Sequence, residues 1–257
     1  MGVRNFVPYR TYKKLWGARK QFGIRPDVND PDWKVWMEKG FTDFYQNTQQ
    51  KGIGNWVCHL AYPVVSKVDF NGKTVLEIGP GQIRHLSYMR SEPRKYVICD
   101  VEEKCLVMSK RKLDEAGILN ETALLDTASE LRLPFPNESF DIILSFNTLE
   151  HLCSLDGYLL EMKRILRRGG QVAGGIPCEG GLAWGLGRFL TTRRYVHKKY
   201  GINYDKIICW EHPNFADYII ERLDVHFEPQ HLRLHPFHCL PMDLNLVASF
   251  IYREAKS

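Results

Sequence analysis

The 257-residue chain has no apolar run long enough to cross a bilayer, which excludes a membrane-spanning helix. Its first residues carry charge early and lack an apolar core, so no secretory signal is expected. Gly2 follows Met1, but Phe6 stands where N-myristoylation requires Ser or Thr. The seven cysteines (58, 99, 105, 153, 178, 209 and 239) include no CxxC pair. That excludes the usual zinc-site spacing and points to free thiols in a reducing compartment, so a cytoplasmic location is expected and no metal site. There is no internal repeat and no low-complexity tract. Acids are missing from residues 1–26, which hold seven bases: Arg4, Arg10, Lys13, Lys14, Arg19, Lys20 and Arg25. A second basic cluster (Arg188, Arg193, Arg194, Lys198, Lys199, Lys206) has one acid among it, Asp205. A solvated face is the ordinary reading of such clusters. The functional reading is attraction of an anionic acceptor, a phosphate or a membrane surface. The net charge of +5 is modest and no RNA or DNA module is recognisable, so nucleic acid is not an expected partner.

What is present is a rhythm. Residues 1–70 read as a helical lead-in or lid. Asp30-Pro31 is a helix start, with a capping oxygen followed by proline at the first turn. Trp33, Trp36, Met37, Phe41 and Phe44 then recur at helical spacing. From residue 71 onward short apolar runs alternate with helical patterns. Strands are expected at 74–78, 96–99, 123–125, 141–145 and 171–176. A helix carrying Leu155, Tyr158, Leu159, Met162, Ile165 and Leu166 should close on Arg167-Arg168-Gly169-Gly170. Apolar strands alternating with helices imply an α/β fold, a doubly wound and mostly parallel sheet covered on both faces. Residues 177–212 break the rhythm and read as an inserted cap over the cleft. A helix near 214–223 and strands at 231–234 and 244–252 follow, the last two suited to an antiparallel edge pair.

Four features fall at the carboxyl ends of successive expected strands, where ligands of such sheets bind. Glu77-Ile78-Gly79-Pro80-Gly81 follows the first, Asp100 ends the second, Asp126 ends the third, and Asn147 with Glu150-His151 follows the fourth. Glycines let a ligand approach the backbone. A carboxylate ending the second strand can accept both hydroxyls of a ribose. A nicotinamide dinucleotide prefers G-x-G-x-x-G, but the third glycine position is Arg84 here. A P-loop is excluded because GK[ST] is missing. Glu77 could also cap the following helix, Asp126 could be a plain turn residue, and Asp141 is best read as fixing a loop.

VLEIGPG, VICD, LPFPNESFDIILSFNTLEHL and EMKRILRRGGQVAGGIP, in that order, resemble the successive motifs of class I S-adenosylmethionine-dependent methyltransferases, the small-molecule branch in particular. The resemblance covers residues 73–177. It implies S-adenosyl-L-methionine as cofactor and a Rossmann-like methyltransferase domain over 71–257. By position, Gly79 and Gly81, with Pro80 between them, would border the methionine part. Glu77 would orient the glycine loop or meet the amino group through water. Asp100 would hold the ribose, Asp126 with Thr127 would sit near adenine, and Asn147 would lie beside the methionine moiety. Three departures stand out: the family's third glycine is Ile83, Asp126 lies further before Leu133-Pro134-Phe135 than the family's pattern has it, and Arg168 replaces a proline before Gly169. His151 is the first candidate for a general base and His212 the second. Aromatics in the lead-in and cap (Trp33, Trp36, Trp56, Trp184, Tyr195, Trp210) suit a glycan or other polar small molecule. The expected reaction is therefore O-methylation of a carbohydrate or similar acceptor. N-methylation of a small metabolite and a non-catalytic cofactor-binding scaffold are the alternatives.

Overall fold

The structure is a computed structural model that describes residues 2–40, 52–126 and 131–254. Phe41, Phe44 and Thr127 lie outside the described residues. Seven strands form one sheet: β1 (Thr74–Ile78), β2 (Lys95–Asp100), β3 (Asn120–Leu124), β4 (Phe140–Phe146), β5 (Leu166–Pro177), β6 (Glu228–His235) and β7 (Val247–Arg253), in the order β3-β2-β1-β4-β5-β7-β6. The first five pair in parallel, and β7 runs antiparallel between β5 and β6. The antiparallel strand thus sits one place in from the edge, and β6 forms the edge itself.

The doubly covered sheet explains the unbroken apolar runs. Successive side chains on a strand point to opposite faces, and here both faces are packed. Leu76, Ile143 and Val172 enter one core with Leu159 and Met162 of α6 (Leu155–Ile165) and Ile219 and Leu223 of α10 (Ala216–His226). Their neighbours Val75, Ile142 and Ala173 enter the other core with Leu106 and Leu113 of α5 (Glu103–Glu115) and Val64 and Val65. Strand β3 starts earlier than its apolar residues suggest. It is an edge strand, and its backbone ladder to β2, beginning at Tyr96–Asn120, sets its ends. Helix α6 passes directly into β5 at Leu166, whose backbone is already extended, so Gly169 lies within the strand's irregular opening and does not close the helix. Asp141 accepts from the Thr74 amide at 2.8 Å and from Arg167 at 2.7 Å, which ties β4 to the start of β1.

A second, all-helical layer joins two distant segments. Helices α1 (Tyr9–Trp16), α2 (Arg19–Phe22) and α3 (Pro31–Val35) come from the N-terminal segment, which resumes with α4 (Gly52–His59). Asp30 caps α3 as expected, its Oδ1 accepting from Asp32 and Trp33 amides, and Pro31 occupies the first turn. The chain then widens into a π turn over Trp36–Gly40. Trp36 is fully buried while Met37 is exposed. Against these pack α7 (Leu182–Leu190), α8 (Thr192–Tyr200) and α9 (Tyr204–Glu211) from the segment after β5. Their shared core holds Trp36, Val196, Ile207, Ile208 and Trp210, with Trp33 at its margin. Trp16 donates to Gly181 O, and its ring lies where a Cβ on Gly185 would fall, 2.6 Å from Nε1. Glycine at position 185 is thus what lets α1 meet α7 this closely.

Half of the second basic cluster is spent inside this layer. Arg188 and Arg193 both pair with Asp205, and Lys206 pairs with Asp30 and Asp32 at 2.7 and 2.8 Å. Arg188 also donates to Leu15 O and Lys14 O at the end of α1. These three cations serve as struts between segments, and a solvated face accounts only for exposed members such as Arg194 and Lys198.

Candidate active site

The glycine turn after β1 is built for close approach. Gly79 has φ 65°, and a Cβ there would come 2.4 Å from Thr148 Oγ1. Gly81 also has positive φ, and its carbonyl accepts from Ser109 of α5 at 2.8 Å. Pro80 between them is buried. Ile83, where the resembled family has glycine, takes the left-handed conformation at φ 42° with its side chain buried. A β-branched residue is strained there, and packing in the second core holds it.

Beneath the turn Glu77 is buried. It does not cap the following helix: Tyr96 Oη donates to its Oε2 at 2.7 Å, and His85 Nδ1 lies 3.6 Å from Oε1. Burial pushes the Glu77 carboxyl up to about 8 and the His85 imidazole down to about 3. At neutral pH this is therefore a contact between uncharged groups that braces the turn from below.

Asp100 ends β2 beside the turn and is partly buried; its Oδ1 accepts from the Glu102 amide at 2.9 Å. Burial raises its carboxyl, so a pair of hydroxyl donors would relieve it. Asp126, just past β3, is exposed. Asn147 follows β4 with φ 52°, and its amide donates to Gly175 O at 2.8 Å. Glycine turn, Asp100 and Asn147 thus lie along three adjacent strand ends.

The two histidine candidates, 61 positions apart, are brought together. Their rings lie perpendicular with centroids 4.4 Å apart. His151 Nδ1 contacts Glu211 O at 2.7 Å. A carbonyl only accepts, so Nδ1 carries the hydrogen and Nε2 keeps its lone pair. The His151 ring is solvent-accessible yet deeply surrounded by protein. Desolvation, then the neighbouring His212, lowers it to about 3. His212 Nδ1 contacts Glu179 Oε1 at 2.7 Å. Burial opposes its charge, but Glu179, Glu211 and Glu150 together raise it to about 9, so it is an imidazolium at neutral pH. Trp184 donates to Glu179 Oε1, Trp36 donates to Glu211 Oε1, and Arg19 donates to His212 O. Glu150 is buried and raised to about 8, and its Oε2 has no hydrogen-bond partner among the described residues.

Glu179 was missed by motif reading. Its only signal in the sequence is an acid two residues beyond the end of the fifth strand, the place that Asp126 holds beyond the third. Among the described residues no group of three or more His, Cys, Asp or Glu is arranged to hold a metal ion, and no helix is long and apolar enough to cross a membrane.

Strand order and motif order together resemble those of class I S-adenosylmethionine-dependent methyltransferases. Residues 76–174 match the family model for a methyltransferase domain. The ubiquinone/menaquinone biosynthesis C-methyltransferase of Ralstonia pickettii is 33% identical over 104 residues, covering 39% of this chain and 42% of that protein. The Escherichia coli protein of the same name is 32% identical over 104 residues, 39% of this chain and 41% of its own. The matched region thus spans less than half the length of these curated relatives. Among solved structures, the N-methyltransferase NodS of Bradyrhizobium japonicum, a complex with S-adenosylhomocysteine, aligns over 88% of this chain and 100% of its own at 13% identity and TM-score 0.56. The carbon methyltransferase CurJ aligns over 96% of this chain and 67% of its own at 16% identity and TM-score 0.57. The cofactor of that class is S-adenosyl-L-methionine, and the bare glycine turn beside the half-buried Asp100 carboxylate fits it.

Proposed function

We propose that this chain transfers the methyl group of S-adenosyl-L-methionine to a hydroxyl of a carbohydrate or similarly polar small molecule. The observation that carries the reading is the His151 Nε2 lone pair, in the turn just past β4, fixed by the Nδ1 contact to Glu211 O at the end of α9. When bound, the cofactor supplies an activated methyl on a sulfonium. Gly79, Pro80 and Gly81 would border its methionine part, Glu77 braces that turn, Asp100 would take the ribose, Asp126 and Thr127 would serve the adenine, and Asn147 would serve the methionine moiety. The residues of the site would hold the acceptor hydroxyl in line with that methyl. The hydroxyl proton passes to His151 Nε2. A weak base suffices, because the oxygen becomes strongly acidic as the new bond forms. Residues 1–70 and the 177–212 insertion act as lid and cap, excluding water and orienting the acceptor.

Glu179, whose carboxyl stays ionised beside His212, favours one second reading, N-methylation of an amine. The test is calorimetric titration with S-adenosylhomocysteine, with NADH and Asp100→Ala as controls, followed by labelled methyl transfer to panels of sugars and amines. Selective binding lost in Asp100→Ala, with transfer to sugars lost in His151→Ala, supports the reading. Transfer to amines alone supports the second. Binding without transfer to either would leave a scaffold.

A further inference from the structure

Helix α7 has the reverse polarity of a surface helix. Its one charged residue, Arg188, is buried, paired with Asp205 and donating to Leu15 O and Lys14 O. Gly185 packs on Trp16, and Trp184 donates to Glu179, so this side faces the protein. The opposite side carries Ala183, Leu186, Gly187 and Leu190, an i, i+3, i+4, i+7 stripe of the kind a surface helix buries. Leu186 is 42% exposed and Leu190 53%, and a Cβ on Gly187 would meet nothing within 4 Å. Two helices pack against α7, and neither contains an acid: α1 has Arg10, Lys13 and Lys14, and α8 has Arg193, Arg194, Lys198 and Lys199. The Lys14 carbonyl rests on Arg188, and the Arg194 guanidinium stands 5.7 Å over the Phe189 ring at the far end of α7. Arg10, Lys14, Arg194 and Lys198 are exposed. The acids at hand are engaged: Asp205 is buried between Arg188 and Arg193, and Asp243, beside the start of α7, accepts from the Val3 amide.

We propose that the outward face of α7 seats on an anionic membrane surface, its leucines entering the interface while the bases of α1 and α8 hold the phosphate headgroups. The inference is independent of the methyl-transfer reading. Nine residues are too few to span a bilayer, so the helix lies in the plane of the interface. Attraction between the bases and the headgroups reaches about 8 Å at physiological salt, so bases on flanking helices contribute without sharing the leucines' own face. A second copy of the chain fits this face less well, because a two-fold contact would set the basic helices of both copies against each other. A protein partner also fits less well. The stripe offers no polar side chain, whereas protein interfaces carry about one hydrogen bond per 100–200 Å². An exposed apolar stripe rimmed by bases is what an interfacial helix needs.

The experiment is flotation of the full chain with vesicles of equal parts phosphatidylcholine and phosphatidylglycerol, against vesicles of phosphatidylcholine alone. The unmodified chain should float with the anionic vesicles, come off as salt is raised, and bind phosphatidylcholine about tenfold or more weakly. Leu186→Gln combined with Leu190→Gln should weaken binding to the anionic vesicles by about tenfold or more. Arg194→Glu combined with Lys198→Glu should do so by a similar factor. All four side chains are exposed, so Tm without vesicles should change little in either variant. Hydrogen exchange on the vesicle-bound chain should slow across residues 182–200 and stay unchanged at the β3 edge. Failure to float, equal binding to both kinds of vesicle, or binding that the leucine substitutions leave intact overturns the inference. Without flotation, self-association that those substitutions abolish, seen by light scattering, would assign the face to a second copy. Binding of polyglutamate that they weaken would assign it to an acidic protein. Either result overturns the membrane assignment.

Discussion

At the scale of single residues, burial sets the charge states and so the pH behaviour. Glu77 titrates near 8 in the fold against an ordinary 4.5, so the folded state holds that proton more tightly than the unfolded chain. Its contribution to stability therefore declines as pH rises from about 4.5 to about 8. His85 has the opposite sign. Held near 3 against an ordinary 6.5, it costs stability as pH falls through that window, because only the unfolded chain takes up the proton. Glu77→Gln keeps an acceptor for Tyr96 and removes the titration. The fall in Tm between pH 6 and pH 9 should shrink by roughly 4 °C or more relative to the unsubstituted protein, as calorimetry would show. For the cofactor, Asp100→Asn should weaken S-adenosylhomocysteine binding by about tenfold or more, on the order of 1.4 kcal/mol, with Tm in the absence of ligand little changed. Asp100, Gly79 and Asn147 were legible in the sequence because a ligand that lies across strand ends needs particular chemistry at fixed places. Glu179 and the charge of His212 were not, since both depend on contacts between residues 33 positions apart.

At the scale of elements, the same lesson applies to the helices that follow β5. The sheet could be read from alternation because every strand buried on both faces must be apolar throughout. The basic cluster could not, because its meaning turned on one acid. Asp205 joins Arg188 and Arg193, and all three side chains are at least half-buried. Removing it leaves a buried guanidinium uncompensated, so Asp205→Asn should destabilise the protein by about 3–5 kcal/mol. Urea unfolding would measure this, and a loss under 1 kcal/mol would show that solvent substitutes for the acid. Trp36→Ala empties the centre of the helical core and strips the donor from Glu211; a cost of about 3–5 kcal/mol is expected.

At the scale of the whole molecule, the candidate acceptor site draws on both layers. His151 comes from the sheet's fourth strand end, Glu179 from beyond the fifth, and Glu211 and His212 from the end of α9. Trp36 and Arg19 reach in from the other end of the chain. Deleting residues 1–35 should therefore lower acceptor turnover far more than cofactor affinity, since the glycine turn and Asp100 rest on the sheet and α5. Comparing kcat/KM with the S-adenosylhomocysteine dissociation constant in the truncated chain would separate the two. The two-segment construction also bears on inheritance. A recombination event that exchanged only the stretch between β5 and α10 would import Arg188 and Lys206 without the carbonyls of Lys14 and Leu15 or the carboxylates of Asp30 and Asp32 that receive them. New acceptor specificities on this scaffold should arise by coordinated drift of both ends of the gene, and chimeras that swap one end alone should fold poorly.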